Sequence, residues 1–138
     1  MKHKAVFLDR DGVLNEDSGY THQLSDLRLL DGVIEGLQSL LALDYKVIII
    51  TNQSGIARGL FSAEEMHIFM RGLINVLLEN QINVTDYFYC PHHPKGKLLE
   101  YSIKCSCRKP EPGMLFAAEK KYNLDLSKSI LIGDRETD

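Results

Sequence analysis

An α/β fold, with a doubly wound parallel sheet and helices on both of its faces, is what this sequence predicts. Three observations lead there. Short apolar runs recur without polar alternation, as in strands buried on both sides. The clearest is Val47-Ile48-Ile49-Ile50. Segments of helical periodicity lie between those runs, so strand and helix alternate along the chain. Each run also ends in a burst of polar residues, where the strands of an open sheet meet solvent.

Lys4 to Leu8 is the first strand, breaking into the turn Asp9-Arg10-Asp11-Gly12. Residues 15–31 are a long, mixed, polar loop over the strand ends. Val33, Leu37, Leu40 and Leu41 recur at helical spacing. Tyr45 to Thr51 is a second strand, rich in β-branched residues and closed by Thr51-Asn52-Gln53-Ser54-Gly55. Ser62 and Glu65 have the spacing of a capping box. The helix they open runs to about Asn80, with Met66, Phe69, Met70, Leu73, Val76 and Leu77 as its apolar stripe. Val84 to Tyr89 is a third strand, and residues 90–112 are irregular. Pro112 to about Tyr122 is a helix with proline near its first position, where it is tolerated. Ser129 to Ile132 is a fourth strand, ending in Gly133-Asp134. Right-handed crossovers then place helices on both faces. Residues 1–138 read as a single domain without an internal repeat. The chain stops at Asp138, with no helix to close the last unit, and a fragment is expected.

The 138 residues suffice for one core, and 44% apolar with 25% charged residues is ordinary for a soluble protein. A formal charge of −3 gives no strong pull toward nucleic acid or an anionic membrane. No apolar run approaches the roughly 20 residues of a membrane span, and the run after Lys4 is too short for a signal-peptide core. A cytoplasmic monomer with neither nucleic-acid nor membrane partners is expected.

Asp9 and Asp11 follow strand one, Thr51 and Asn52 follow strand two, and Asp134 and Asp138 follow strand four. Arg108 and Lys109 lie in the loop before the last helix. Carboxylates and cations converging on one rim suit metal-assisted phosphoryl transfer. Asp9 and Asp11, two residues apart, can face the same side of an extended segment. Cys90, Cys105 and Cys107 are an odd, clustered set, unlike a disulfide framework. With an imidazole from His92 or His93 they can close a tetrahedral structural zinc site. Four protein ligands leave no open position for catalysis. Arg28 and Arg58 are expected to be solvated surface charges.

Asp9-Arg10-Asp11-Gly12-Val13, Thr51, Lys109, and Gly133-Asp134 with Asp138 resemble, in order, the four motifs of the haloacid dehalogenase superfamily of phosphohydrolases. The resemblance implies a Rossmann-like sheet with a minimal cap, a magnesium ion and an aspartyl-phosphate intermediate. It makes Asp9 the nucleophile, which splits one hard step into two. Asp11 is the acid that protonates the leaving oxygen and then the base for water. Thr51 donates to a phosphoryl oxygen, and Lys109 stabilises both Asp9 and the transferring group. Asp9, Asp11 through its backbone carbonyl, and Asp134 would hold Mg2+, with Asp138 in support.

Five stretches narrow the resemblance: Phe7 to Gly12, Gly19-Tyr20-Thr21-His22, Thr51 to Gly59, Cys90-Pro91-His92-His93-Pro94, and Cys105 to Met114. As a set they are similar to a bacterial family of D-glycero-D-manno-heptose-1,7-bisphosphate 7-phosphatases. Histidinol-phosphate phosphatases share the zinc loop. The resemblance implies Zn2+ on Cys90, His92, Cys105 and Cys107. It places Asp17, Ser18, Gly19, Tyr20, Asn52, Gln53, Ser54, Arg108 and Arg135 along a small phosphorylated metabolite. The implied reaction removes the 7-phosphate of the heptose bisphosphate, a step toward lipopolysaccharide core precursors. Two alternatives stay open: hydrolysis of histidinol phosphate, and a truncated remnant that is inactive or only binds phosphate. Two guanidinium groups, Arg108 and Arg135, suit a second phosphate.

Overall fold

A computed structural model describes residues 1–134. Among them the order of elements is β1 (Ala5–Leu8), α1 (Val33–Ala42), β2 (Lys46–Asn52), α2 (Ala63–Glu79), β3 (Val84–Cys90), α3 (Gly113–Tyr122) and β4 (Ile130–Ile132). The strands form one sheet in the order β3-β2-β1-β4, and every pairing is parallel.

Strand alternation divides the core into two layers. Val6, Leu8, Val47 and Ile49 point toward α1 and α2, where they meet Leu37, Met66, Met70, Leu73 and Leu77. Ala5, Phe7, Ile48 and Ile50 point the other way, toward Met114 and Ala118 of α3. Both faces of β1 and of central β2 are therefore covered, which is why these segments lack polar alternation. β3 and β4 form the sheet's edges, and Ile130, Leu131 and Ile132 keep 37–40% of their surface exposed. The capping box of α2 forms as expected, with Ser62 Oγ accepting from the Glu65 N–H and the Glu65 carboxylate accepting from the Ser62 N–H. Pro112 does not sit inside the last helix. It is the N-cap, and Gly113 is the first helical residue. Position 113 has no room for a side chain: a Cβ there would lie 2.4 Å from the Ser106 carbonyl oxygen.

The chain winds β1→β2→β3 in one direction with α1 and α2 on one face. It then returns over the other face with α3 to reach β4. The winding reverses between β1 and β4, the place where open α/β sheets carry their ligand crevice. Parallel pairing of Leu8 with Ile132 brings Asp9 and Asp134 to that same rim.

Candidate active site

Asp9 is the first residue beyond β1, and its N–H bonds the Ile132 carbonyl at 3.0 Å, extending the ladder with β4. Its Oδ1 accepts from the Arg10 N–H at 2.9 Å and lies 3.2 Å from Lys109 Nζ. Lys109 is buried, and its ammonium also donates to the Ile50 carbonyl at the end of β2. The ion pair is almost dry, with side-chain exposures of 6% for Lys109 and 13% for Asp9, so its attraction is weakly screened.

Asn52 holds Lys109 in place. Its Oδ1 accepts from the Lys109 N–H at 3.0 Å, and its Nδ2 donates back to the Lys109 carbonyl at 3.4 Å. The sequence resemblance set Asn52 along a substrate, and the structure gives its side chain this clasp. Gln53 is also largely engaged within the protein: its Nε2 donates to Thr51 Oγ1 at 2.9 Å and to Asp11 Oδ2 at 3.3 Å. The Thr51 hydroxyl is buried beneath it.

The turn after Asp9 is tight: the Leu14 N–H bonds the Arg10 carbonyl and the Gly12 N–H bonds the Asn15 carbonyl, both at 2.8 Å. Gly12 has φ +83°, and a Cβ there would stand 2.0 Å from Asp134 Oδ2. The Asp134 carboxylate thus rests on the bare Cα of Gly12. The oxygen donors of Asp9, Asp134 and the nearby Asp11 carbonyl are the hard ligands Mg2+ takes, so the residues fit that ion.

A cleft of about 370 Å³ opens over this rim, lined by Asp9, Asp11, Asp17, Gly19, Tyr20, Asn52, Gln53, Ser54, Gly55, Arg58, Arg108 and Lys109. Ser18 is not among them. Its hydroxyl and N–H both turn to Thr21 Oγ1 at 2.9 Å and shape the loop. Tyr20 sits at the mouth, half exposed, with a positive φ of 49°. His22 sets that turn: its Nδ1 is 2.8 Å from the Tyr20 carbonyl, and its ring stacks on Phe61 at 4.7 Å. Arg135 and Asp138 lie outside the described residues.

Arg58 corrects the sequence reading. It is not a free surface charge but lines the cleft, with Nη2 3.2 Å from His93 Nε2 and Cζ 5.9 Å from the Tyr20 ring centroid. Arg58 Nε and Arg108 Nη1 are both buried, and neither has a hydrogen-bond partner among the described residues. Arg10 stands in the first motif with no role of its own there, yet it is wholly buried and paired with Asp11. Arg10 leaves the turn toward α2, over the Phe69 ring, and its guanidinium also forks the Asp11 carboxylate.

Cys90, His92, Cys105 and Cys107 converge so that their ligand atoms all lie within 4.8 Å of one another. His92 presents Nδ1, 3.3 Å from Cys107 Sγ and 3.6 Å from Cys90 Sγ. Three thiols and one imidazole are the donors of a structural zinc site, so the set fits Zn2+ by its chemistry. The sulfurs stand 2.6–3.4 Å apart, closer than the roughly 3.5–3.8 Å between the ligands of a tetrahedral zinc, and would spread to take the ion. Burial raises the Cys90 thiol, and its hydrogen bond with Cys107 raises it further. Burial also raises Cys105, but hydrogen bonds from Cys107 and the Arg108 N–H outweigh it and bring that thiol down to about 6. Left to themselves the thiols share negative charge poorly, a conflict a divalent cation relieves. His93 lies outside the cluster: its Nδ1 accepts from the Lys95 N–H at 3.0 Å. Burial lowers its pKa, and Arg108, Arg58 and Lys95 lower it further. The loop is strapped to the far side of the cleft by Lys97 and Leu98 N–H groups on the Ala57 carbonyl.

The family model described as polynucleotide kinase 3 phosphatase matches residues 5–137. The chain belongs to this family of haloacid dehalogenase-type phosphatases. It is 44% identical over 137 residues to a D-glycero-alpha-D-manno-heptose-1,7-bisphosphate 7-phosphatase of Photorhabdus laumondii, covering 99% of this chain and 75% of that one. It is 45% identical over 135 residues to the beta-anomer enzyme of Pasteurella multocida, covering 98% and 73%. Among solved structures, D,D-heptose 1,7-bisphosphate phosphatase from B. bronchiseptica, complexed with magnesium and phosphate, superposes with a TM-score of 0.83 at 33% identity, covering 97% and 72%. A protein of Mesorhizobium loti described as a HAD-like phosphatase gives a TM-score of 0.94 at 33% identity, over 99% of this chain and 66% of that one. The fold of this chain is thus shared with these two solved structures.

Proposed function

We propose that this chain is a phosphomonoester hydrolase that removes the 7-phosphate of D-glycero-D-manno-heptose 1,7-bisphosphate through an aspartyl-phosphate intermediate. The similarity to heptose bisphosphate phosphatases supports the substrate class. The observation that carries it to a substrate with two phosphates is the pair of buried, unpartnered guanidinium N–H groups on Arg58 and Arg108, in the same cleft as the Asp9–Lys109 pair. Such donors cost free energy until an anion accepts from them. Guanidinium groups are well matched to phosphate oxygens.

Asp9 attacks phosphorus with a carboxylate oxygen, held ready by Lys109 and by the Arg10 N–H. Lys109 stays against the transferring group and offsets the charge that builds there. Asp11 gives its proton to the departing sugar oxygen, then takes one from the water that cleaves the aspartyl phosphate. The backbone at the end of β2 steadies the phosphoryl oxygens, and Thr51, buried outside the cleft lining, supports Gln53 from beneath. Asp9, Asp134 and the Asp11 carbonyl would hold Mg2+, which would neutralise the substrate's negative charge. Cys90, His92, Cys105 and Cys107 would hold Zn2+, which would tie down the loop that carries Arg108 and Lys109.

Phosphate release from the heptose bisphosphate and from histidinol phosphate, with Mg2+ and an Asp9→Asn control, tests the proposal. Faster release from the bisphosphate, lost in Asp9→Asn, is expected. Preference for histidinol phosphate would overturn the substrate, and no release from either would overturn the reaction.

A further inference from the structure

We propose that Arg10 is a positioning residue, whose buried guanidinium fixes the plane of the Asp11 carboxyl for proton transfer to the leaving group and ties it to the loop at the cleft mouth. The inference rests on the roles given to Asp9 and Asp11 above. Arg10 has no exposed surface. Its Nε donates to Asp11 Oδ1 at 2.9 Å and its Nη2 to Oδ2 at 3.1 Å. This two-pronged contact between planar groups removes the carboxyl's freedom to turn. Asn15 Nδ2 at 3.0 Å completes the frame on Oδ1, and Gln53 Nε2, at a long 3.3 Å on Oδ2, is the donor that gives way when Oδ2 carries the proton.

The far side of the guanidinium is equally fixed. Nη2 donates to the Thr21 carbonyl, Nη1 is 3.8 Å from Met70 Sδ, and Cζ lies 4.4 Å from the Phe69 ring centroid. One side chain therefore joins the buried face of α2, the loop bearing Gly19 and Tyr20, and the acid of the reaction. An arginine buried this deeply is strongly destabilising unless paired. A leucine would fill the same space without that cost. Fixing Asp11 is what the charge adds.

In the first half-reaction the Asp9 oxygen bonds to phosphorus and the ester P–O bond breaks. Its electron pair goes to the leaving oxygen, and the Asp11 proton follows. A sugar alkoxide needs that proton, whereas p-nitrophenolate leaves without it. Because kcat/KM covers only the steps through ester cleavage, it is insensitive to the later hydrolysis of the aspartyl phosphate. The test compares kcat/KM for the heptose bisphosphate and p-nitrophenyl phosphate in the wild type, Arg10→Met, Arg10→Lys and Asp11→Asn.

Arg10→Met is expected to lose on the order of 100-fold on the sugar phosphate and no more than a few fold on the aryl ester, the pattern of Asp11→Asn. Arg10→Lys keeps the charge without the fork and should lose about tenfold with the same selectivity. Equal losses on both esters, or none, would overturn the inference while leaving the phosphatase reading intact. If Arg10→Met does not fold, the ratio in Arg10→Lys decides. A wild type that cleaves neither ester overturns the reading of the site and this inference with it.

Discussion

Replacing Gly12 with alanine isolates the contact between the first and last motifs. The added Cβ would stand 2.0 Å from Asp134 Oδ2 and 2.8 Å from its Cγ. Ordinary contact needs about 3.5 Å, so the carboxylate must retreat by roughly 1.5 Å. That is cheap for the fold, because the displaced atoms end a side chain. The positive φ adds about 1–2 kcal/mol of strain, which a domain of ordinary stability tolerates. It is not cheap for Mg2+, whose ligands must stand near 2.0–2.1 Å. Gly12→Ala should therefore fold, yet need at least about 100-fold more Mg2+ for half-maximal phosphate release, by the scale of losses when metal ligands are disturbed. Titrating activity against Mg2+, beside a thermal melt, separates the two effects. An unchanged half-saturating concentration in a folded variant would refute the placement of Asp134 in the metal site.

Three further outcomes follow from the same structure. Arg58→Ala and Arg108→Ala should each raise KM for the bisphosphate by about 10- to 100-fold, the value of a charged hydrogen bond, with little effect on the corresponding 7-monophosphate. Cys107→Ser, or removal of zinc with a chelator, should lower the melting temperature and cut kcat on the order of 100-fold, because Lys109 lies two residues away; full activity in protein shown to lack zinc would contradict this. Burial works to raise the Asp86 pKa, but hydrogen bonds from Lys121, Tyr122 and the Tyr87 N–H prevail and hold it below the usual carboxylate value. Its contribution to stability is then present above about pH 4 and fades as pH falls through the lowered pKa. Urea midpoints of wild type and Asp86→Asn should differ at about pH 6, and the difference should shrink steadily as pH falls below about 4.

Much of the fold was legible because both-face burial leaves a direct trace in sequence. Val47 to Ile50 could only be a covered central strand, and Ser62 with Glu65 fixed the start of α2. The chemistry at the rim was legible because Asp9 and Asp11, Thr51, Lys109 and Asp134 come in order at the ends of successive elements; the Asp pair alone would read as a turn. Side-chain partnerships across the sheet were not. Asn52 looks the same in sequence whether it touches a ligand or clasps Lys109, 57 residues away. Arg58 reads as a surface cation until the loop from β3 to α3 is seen to fold over Ala57 and bring His93 to it. Spacing alone does not tell adjacent His92 and His93 apart; the resemblance points to His92, and the geometry turns it toward the three sulfurs and His93 toward Arg58.

Acid-quenched peptide mass spectrometry in the first turnover tests the central claim most directly. With the heptose bisphosphate and Mg2+, a phosphoryl group should appear on the peptide containing Asp9, rise before free phosphate reaches its steady rate, and be absent in Asp9→Asn. Rapid phosphate release with no label on Asp9, or with the label on another residue, would contradict it.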